Sequence, residues 1–96
     1  MADGTLARIV VITNPQGLHA RPADMFVKLA CQYQSKIEVI KDGERVDGKS
    51  ILNILTLAAV EGTQLEIVAT GPDAEAALDA LVELVRANFA EYGTME

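Results

Sequence analysis

The sequence predicts an α+β domain: a four-stranded, mainly antiparallel sheet with helices on one face, in the order β-α-β-β-α-β-α. Three observations carry that prediction. Apolar residues alternate with a period of two in some stretches and recur at helical spacing in others. An Asp42-Gly43 pair between two alternating stretches marks a tight hairpin. Finally, 96 residues suffice for one two-layer core but not for a second domain, so residues 1–96 are expected to fold as a single unit.

Residues 6–13, LARIVVIT, are rich in β-branched side chains and form the first predicted strand, with Val10 and Ile12 on one face and Asn14-Pro15 as its end. After the loop NPQGLHARPA, a helix is expected over Ala23–Gln34, because Phe26, Leu29, Ala30 and Tyr33 fall at i, i+3, i+4 and i+7. KIEVIK at 36–41 alternates and leads into the hairpin turn, with Glu44–Asp47 as the return strand. Ser50–Leu57 reads as a short helix with Ser50 as its N-cap. Ile51, Leu52, Ile54, Leu55 and Leu57 are too many apolar residues for one buried stripe, so some are expected to stay exposed as a docking patch. Gln64–Thr70 alternates again, placing Leu65, Ile67 and Ala69 on one face of a fourth strand. Gly71-Pro72 breaks it, Asp73 is expected to cap a helix from Ala74 to about Phe89, and Leu78, Leu81, Val82, Val85 and Phe89 form its stripe. The tail from Glu91 is expected to fray.

Composition narrows the function. With two Phe, two Tyr and no Trp, the core must be built from Val, Ile, Leu and Ala. Fourteen acids against eight scattered bases give a formal charge of -6, which argues against binding nucleic acid by phosphate neutralisation. The single Cys31 cannot form an internal disulfide and is expected to pack rather than to do redox chemistry; one His and one Cys far apart make a zinc site unexpected. The N-terminus lacks a signal-peptide pattern and no apolar run approaches the roughly 20 residues that cross a bilayer. A cytoplasmic protein without membrane insertion is expected.

The one histidine, His19, sits where a loop becomes a helix, with Arg21 and Pro22 close behind it. The first turn of a helix offers backbone N–H groups and a partial positive charge to an anion such as phosphate. Pro22 suits that turn because its missing N–H is no loss there. Arg21 adds a planar guanidinium whose fork matches phosphate oxygens. A neutral imidazole in such a setting is a competent nucleophile, so His19 is expected to take and give a phosphoryl group. The competing reading of these residues alone is that His19 merely caps the helix and Arg21 merely faces solvent.

A second phosphate motif is rejected. Gly43–Ser50, GERVDGKS, fits the P-loop pattern G-x-x-x-x-G-K-[ST]. Glu44 and Asp47 would bring negative charge toward the anion, Asp42-Gly43 is better used as a hairpin turn, and the chain is too short for the parallel sheet of such enzymes.

GLHARPA near the N-terminus, GKSILNILTLA in the middle and GTQLEIVATGPDA before the last helix together resemble the HPr family, the histidine phosphocarriers of the bacterial phosphoenolpyruvate-dependent sugar phosphotransferase system. The resemblance runs from about Ile9 to Phe89 and implies an open-faced β-sandwich with three helices over four antiparallel strands. It implies that His19 accepts phosphate from enzyme I through Nδ1 and passes it to enzyme IIA domains, with Arg21 as the active-site arginine and the backbone of Gly17, Ala20 and Pro22 shaping the phosphate site. Such a chain is a covalent intermediate in a relay and not an enzyme with its own turnover, and needs no metal or organic cofactor. Ser50 matches the serine modified by a regulatory kinase, the HPr serine kinase/phosphorylase, in many members; a dianion there would disturb docking at Ile51, Leu52 and Leu55. Lys28 and Lys49 are candidates for the rim of that surface, a solvated face being the alternative for each. A monomer suffices.

Two departures from the family stand out. Gln16 occupies a position where several members carry a smaller Asn or Ser, which leaves its role open. The acidity of the chain means that steering must come from a local patch or that docking rests on apolar contact. Two further readings share these residues: a regulatory phosphocarrier of the nitrogen-type phosphotransferase branch, and a binding module whose serine-modified form partners a transcription regulator.

Overall fold

The computed structural model describes residues 4–90, and the element order is the expected one. Strand β1 (Thr5–Val11) is followed by helix α1 (Ala20–Ala30), strands β2 (Lys36–Lys41) and β3 (Glu44–Asp47), helix α2 (Ile51–Thr56), strand β4 (Gln64–Thr70) and helix α3 (Ala74–Arg86). The four strands form one sheet in the order β1-β4-β2-β3, and every neighbouring pair is antiparallel. The last strand therefore enters between β1 and β2, with Leu65 opposite Val10 and Ile67 opposite both Arg8 and Val39.

Period-two alternation decides which face is covered. Val10, Ile37, Val39, Leu65, Ile67 and Ala69 are buried and share one core with Phe26 and Ala30 of α1, Ile54 of α2, and Leu78, Leu81 and Val85 of α3. Ile9 and Val11, one residue out of phase, stay exposed on the other face. Asp42 and Gly43 both take positive φ, 51° and 84°, as the tight hairpin between β2 and β3 requires.

Three boundaries move from their expected places. The first strand ends at Val11 rather than Thr13, although Ile12 stays buried and exchanges backbone bonds with Thr63 and Gly62. Helix α1 begins at Ala20 and ends at Ala30 instead of spanning 23–34. At its start, the His19 carbonyl already accepts from Ala23 N–H at 2.9 Å. Past its end, the N–H groups of Gln32 and Tyr33 shift to the carbonyls of Leu29 and Ala30, three residues back, and those of Gln34 and Ser35 turn to the Asp73 carboxylate, both at 2.9 Å. Helix α3 stops at Arg86, since Asn88 and Phe89 adopt left-handed φ of 56° and 59° and fold the chain back over the core. Phe89 is buried all the same. The tail from Glu91 lies outside the described residues.

Asp73 is also corrected. It occupies the N-cap position of α3, yet its side chain makes no capping bond. The carboxylate accepts instead from Gln34 N–H, Ser35 N–H and, at 2.5 Å, the Ser35 hydroxyl. These bonds, that of the Ser35 hydroxyl foremost, hold the Asp73 carboxyl below its ordinary value of 3.8, against the opposing effect of partial desolvation. Ser50, by contrast, caps α2 as expected, its Oγ accepting from Asn53 N–H at 3.3 Å. Two lysines tie the short helix and its flanks to the body: Lys41 Nζ donates to the Leu57 carbonyl at 2.8 Å, and Lys49 Nζ to the Tyr33 carbonyl at 2.7 Å.

Candidate functional site

The loop between β1 and α1 is closed on itself and stitched to its neighbour. Asn14 accepts from Gly17 N–H through its backbone carbonyl at 3.0 Å and donates from its side-chain Nδ2 to the Gly17 carbonyl at 2.7 Å. Leu18 N–H reaches the Ala59 carbonyl at 2.8 Å, and the Leu18 side chain is buried. Gly17 makes this close approach possible. Its φ is +71°, and a Cβ there would stand 2.5 Å from the Ala59 carbonyl oxygen and 2.9 Å from Val60 Cα.

His19 follows as the N-cap residue of α1, with extended backbone (φ -84°, ψ -166°) and no capping bond from its side chain. The backbone caps; the exposed imidazole is left for other chemistry. Ala20 and Arg21 open the helix, in the turn whose N–H groups precede the regular i→i−4 ladder. Pro22 is the third helical residue, buried, in the turn where a missing N–H costs nothing. The positive end of α1 is thus directed at the space beside the ring.

That space is a hollow of about 330 Å³ walled by Asn14, Pro15, Gln16, His19, Arg21, Pro22, Met25, Asn88 and Phe89. His19 and Arg21 therefore share one cavity. A second hollow of about 250 Å³ lies on the other side of His19, between Gln16 and Leu18 and the apolar Leu55, Ala58, Ala59 and Val60. Gln16 borders both hollows. An imidazole that borders both the hollow it shares with Arg21 and the hollow lined by Leu55, Ala59 and Val60 can carry an anion in the first and meet a partner surface at the second.

The docking candidates separate. Leu52 is 72% exposed on α2, while Val60, 64% exposed, and the half-buried Leu55 line the second hollow together with His19. Ile51 is half-buried against the core. Lys28 is exposed but paired with Asp24 one turn earlier, at 3.1 Å. Lys49 holds the Tyr33 carbonyl and is half-buried, which gives it a structural task beside Ser50. Within the segment 43–50, Gly43 belongs to the hairpin turn, Glu44–Asp47 are β3 and the remainder leads to the Ser50 N-cap, so the P-loop pattern falls on a hairpin and a strand instead of on one loop.

Sequence reasoning missed three residues that shape the site. Asn14 reads in the sequence only as the end of a strand, yet it closes the His19 loop, and its buried Oδ1 has no partner among the described residues. Its tendency to form Asx turns was the available signal. Thr13 and Asn88, 75 positions apart, meet through a hydrogen bond from the Thr13 hydroxyl to Asn88 Oδ1. Nothing local in the chain announces that pair.

Comparison with known proteins agrees with this geometry. The family model described as the PTS HPr component phosphorylation site matches residues 6–87. The chain is 41% identical over 86 residues to the phosphocarrier protein HPr of Treponema pallidum, covering 90% of this chain and 98% of that protein. A crystal structure of HPr-C-His from Thermoanaerobacter tengcongensis superposes with a TM-score of 0.86 at 41% identity, covering 90% of this chain and 97% of that one. A multiphosphoryl transfer protein of Vibrio cholerae carries a stretch 42% identical over 83 residues, 83% of this chain but 21% of that protein.

Proposed function

The chain belongs to the HPr family of phosphocarriers of the phosphotransferase system, and from that premise we propose that His19 is its phosphoryl-bearing residue and Arg21 the residue that steadies the phosphoryl group. One observation carries this reading. The His19 ring, free of any capping bond, stands at the N-terminus of α1 and shares its hollow with the Arg21 side chain.

The transfer proceeds by attack of the Nδ1 lone pair on the phosphorus held by enzyme I. The N–P bond forms as the bond from phosphorus to the donor group breaks, and the donor group keeps that electron pair. Nε2 retains its proton throughout. The helix N-terminus, through the backbone at Ala20, and the Arg21 guanidinium favour the phosphoryl charge on His19. Transfer to an enzyme IIA domain repeats the step in reverse, with His19 as the leaving group, and delivers the phosphoryl group toward sugar uptake. The occurrence of an HPr-like stretch inside a multiphosphoryl transfer protein supports a place in such a relay.

Docking to these partners rests on Leu55, which shares a hollow with His19, and on the exposed Leu52 of the same helix, with little help from charge in a chain of net charge -6. Ser50 is the proposed regulatory position, modified by an HPr serine kinase/phosphorylase. Its hydroxyl caps α2, so a phosphate would be tolerated at the helix start while placing a dianion beside Ile51 and Leu52. The working form is a cytoplasmic monomer.

Incubation with labelled phosphoenolpyruvate and enzyme I tests the assignment. Acid-labile label is expected on the wild type and absent from His19→Ala; acid-labile label persisting in that variant refutes it. For Ser50, ATP with a cell extract is expected to give acid-stable label that Ser50→Ala abolishes. Unchanged labelling ends the regulatory proposal.

A further inference from the structure

We propose that the Asn88 side chain is an additional phosphoryl-binding group, its Nδ2 donating to an oxygen of the phosphoryl group on His19. The proposal rests on the phosphocarrier reading above and adds to it a residue 69 positions further along the chain than the histidine.

The backbone places Asn88 for this. Helix α3 gives way after Ala87, and Asn88 turns the chain with φ 56°, a conformation that asparagine tolerates better than other residues with a Cβ. Phe89, buried beneath it, fixes the turn. The result brings the end of α3 against the β1–α1 loop, and both Asn88 and Phe89 wall the hollow that holds His19 and Arg21.

The amide is also oriented. The Thr13 hydroxyl donates to Asn88 Oδ1, which occupies the carbonyl end of the side chain. Nδ2 is left with no partner among the described residues, on an exposed side chain at the wall of the hollow. An anchored amide loses little rotamer freedom when it makes a further bond, in contrast to Gln16, whose side chain makes no hydrogen bond among the described residues. A phosphoryl group presents three strong acceptor oxygens and close to two negative charges. The helix end and the Arg21 guanidinium need not satisfy all of these, and a fixed neutral N–H fits the remainder. Because the bond exists only in the phosphorylated state, it shifts the transfer equilibrium toward phospho-His19 without taking part in bond making or breaking.

The test poises the full chain with enzyme I in mixtures of phosphoenolpyruvate and pyruvate and measures the phosphorylated fraction. Asn88→Gly keeps the left-handed backbone and removes the amide; the ratio of phosphoenolpyruvate to pyruvate at half-phosphorylation is expected to rise about three- to tenfold, the range for one ordinary net hydrogen bond made by an exposed side chain. Asn88→Asp keeps an acceptor for Thr13 but replaces the donor with an anion, and its shift is expected to exceed that of Asn88→Gly. Thr13→Val releases the anchor and keeps the donor, so its shift is expected to be the smallest of the three. A ratio for Asn88→Asp equal to wild type, or a Thr13→Val shift as large as that of Asn88→Gly, means that Asn88 only ties the loop to α3 and overturns the proposal. Absence of label on the wild type refutes the phosphocarrier reading itself, and is seen before any variant is compared.

Discussion

Gly17 offers the sharpest test of how the loop around His19 is built. Replacing it with alanine imposes two separable costs. A residue with a Cβ at φ +71° is strained by about 1 kcal/mol relative to glycine. The new Cβ would also lie 2.5 Å from the Ala59 carbonyl oxygen and 2.9 Å from Val60 Cα, backbone atoms that cannot rotate out of the way. Relief to ordinary contact needs a retreat of about 1 Å, enough to break the 2.8 Å bond from Leu18 N–H to the Ala59 carbonyl, worth about 1 kcal/mol. Gly17→Ala should therefore destabilise by about 2–3 kcal/mol, a fall of about 10–15 °C in Tm for a domain of this size. Gly43 is the control. Its φ is +84°, but a Cβ there meets nothing within 4 Å, so Gly43→Ala should cost only the conformational term, about 1 kcal/mol. Thermal and urea unfolding of both variants, with phosphoryl uptake measured in parallel, decide the matter. Equal losses of stability for the two variants would refute the claim that the loop is held by close backbone packing, as would full phosphoryl uptake by a destabilised Gly17→Ala.

Two other outcomes follow from single side chains. Because the bonds to Asp73 lower its pKa on folding, they stabilise the fold fully above the ordinary aspartate value of 3.8, and that stability is lost as pH falls through the lower folded value. Asp73→Asn should thus lower the urea midpoint at neutral pH, with the gap to wild type closing in acid; a gap that does not change with pH contradicts the assignment. Leu52, 72% exposed, supports no core, so Leu52→Asp should change stability by less than about 0.5 kcal/mol. Its affinity for enzyme I, measured by calorimetry, should fall at least about fivefold if α2 is the docking surface, and an unchanged affinity removes α2 from that role.

Most of the architecture was legible because each element declares its period. The alternation of Val10 and Ile12, of Leu65, Ile67 and Ala69, and the Asp42-Gly43 turn are local patterns, and each sits where its pattern requires. The same holds for Ser50, whose capping bond spans three residues. His19, Arg21 and Pro22 were readable as a group for that reason: one helix start contains them all.

The errors fall where a distant partner outbids a local preference. Asp73 has the right residue type and place for an N-cap, yet the N–H groups of Gln34 and Ser35 and the Ser35 hydroxyl, nearly forty residues away in sequence, take its carboxylate. The helical period of α3 continues to Phe89, but the chain leaves the helix at Asn88, where the Thr13 hydroxyl and the burial of Phe89 favour a turn.

The sequence by itself determined the kinds and order of elements, the buried faces and the histidine at a helix start, since periodicity, capping and turn chemistry act over a few residues. Only the tertiary structure decided the strand order, the bracing of Gly17 by Ala59 and Val60, and the meeting of Thr13 with Asn88 at the His19 hollow. Those features depend on contacts between segments far apart in the chain, whose pairing no local pattern encodes.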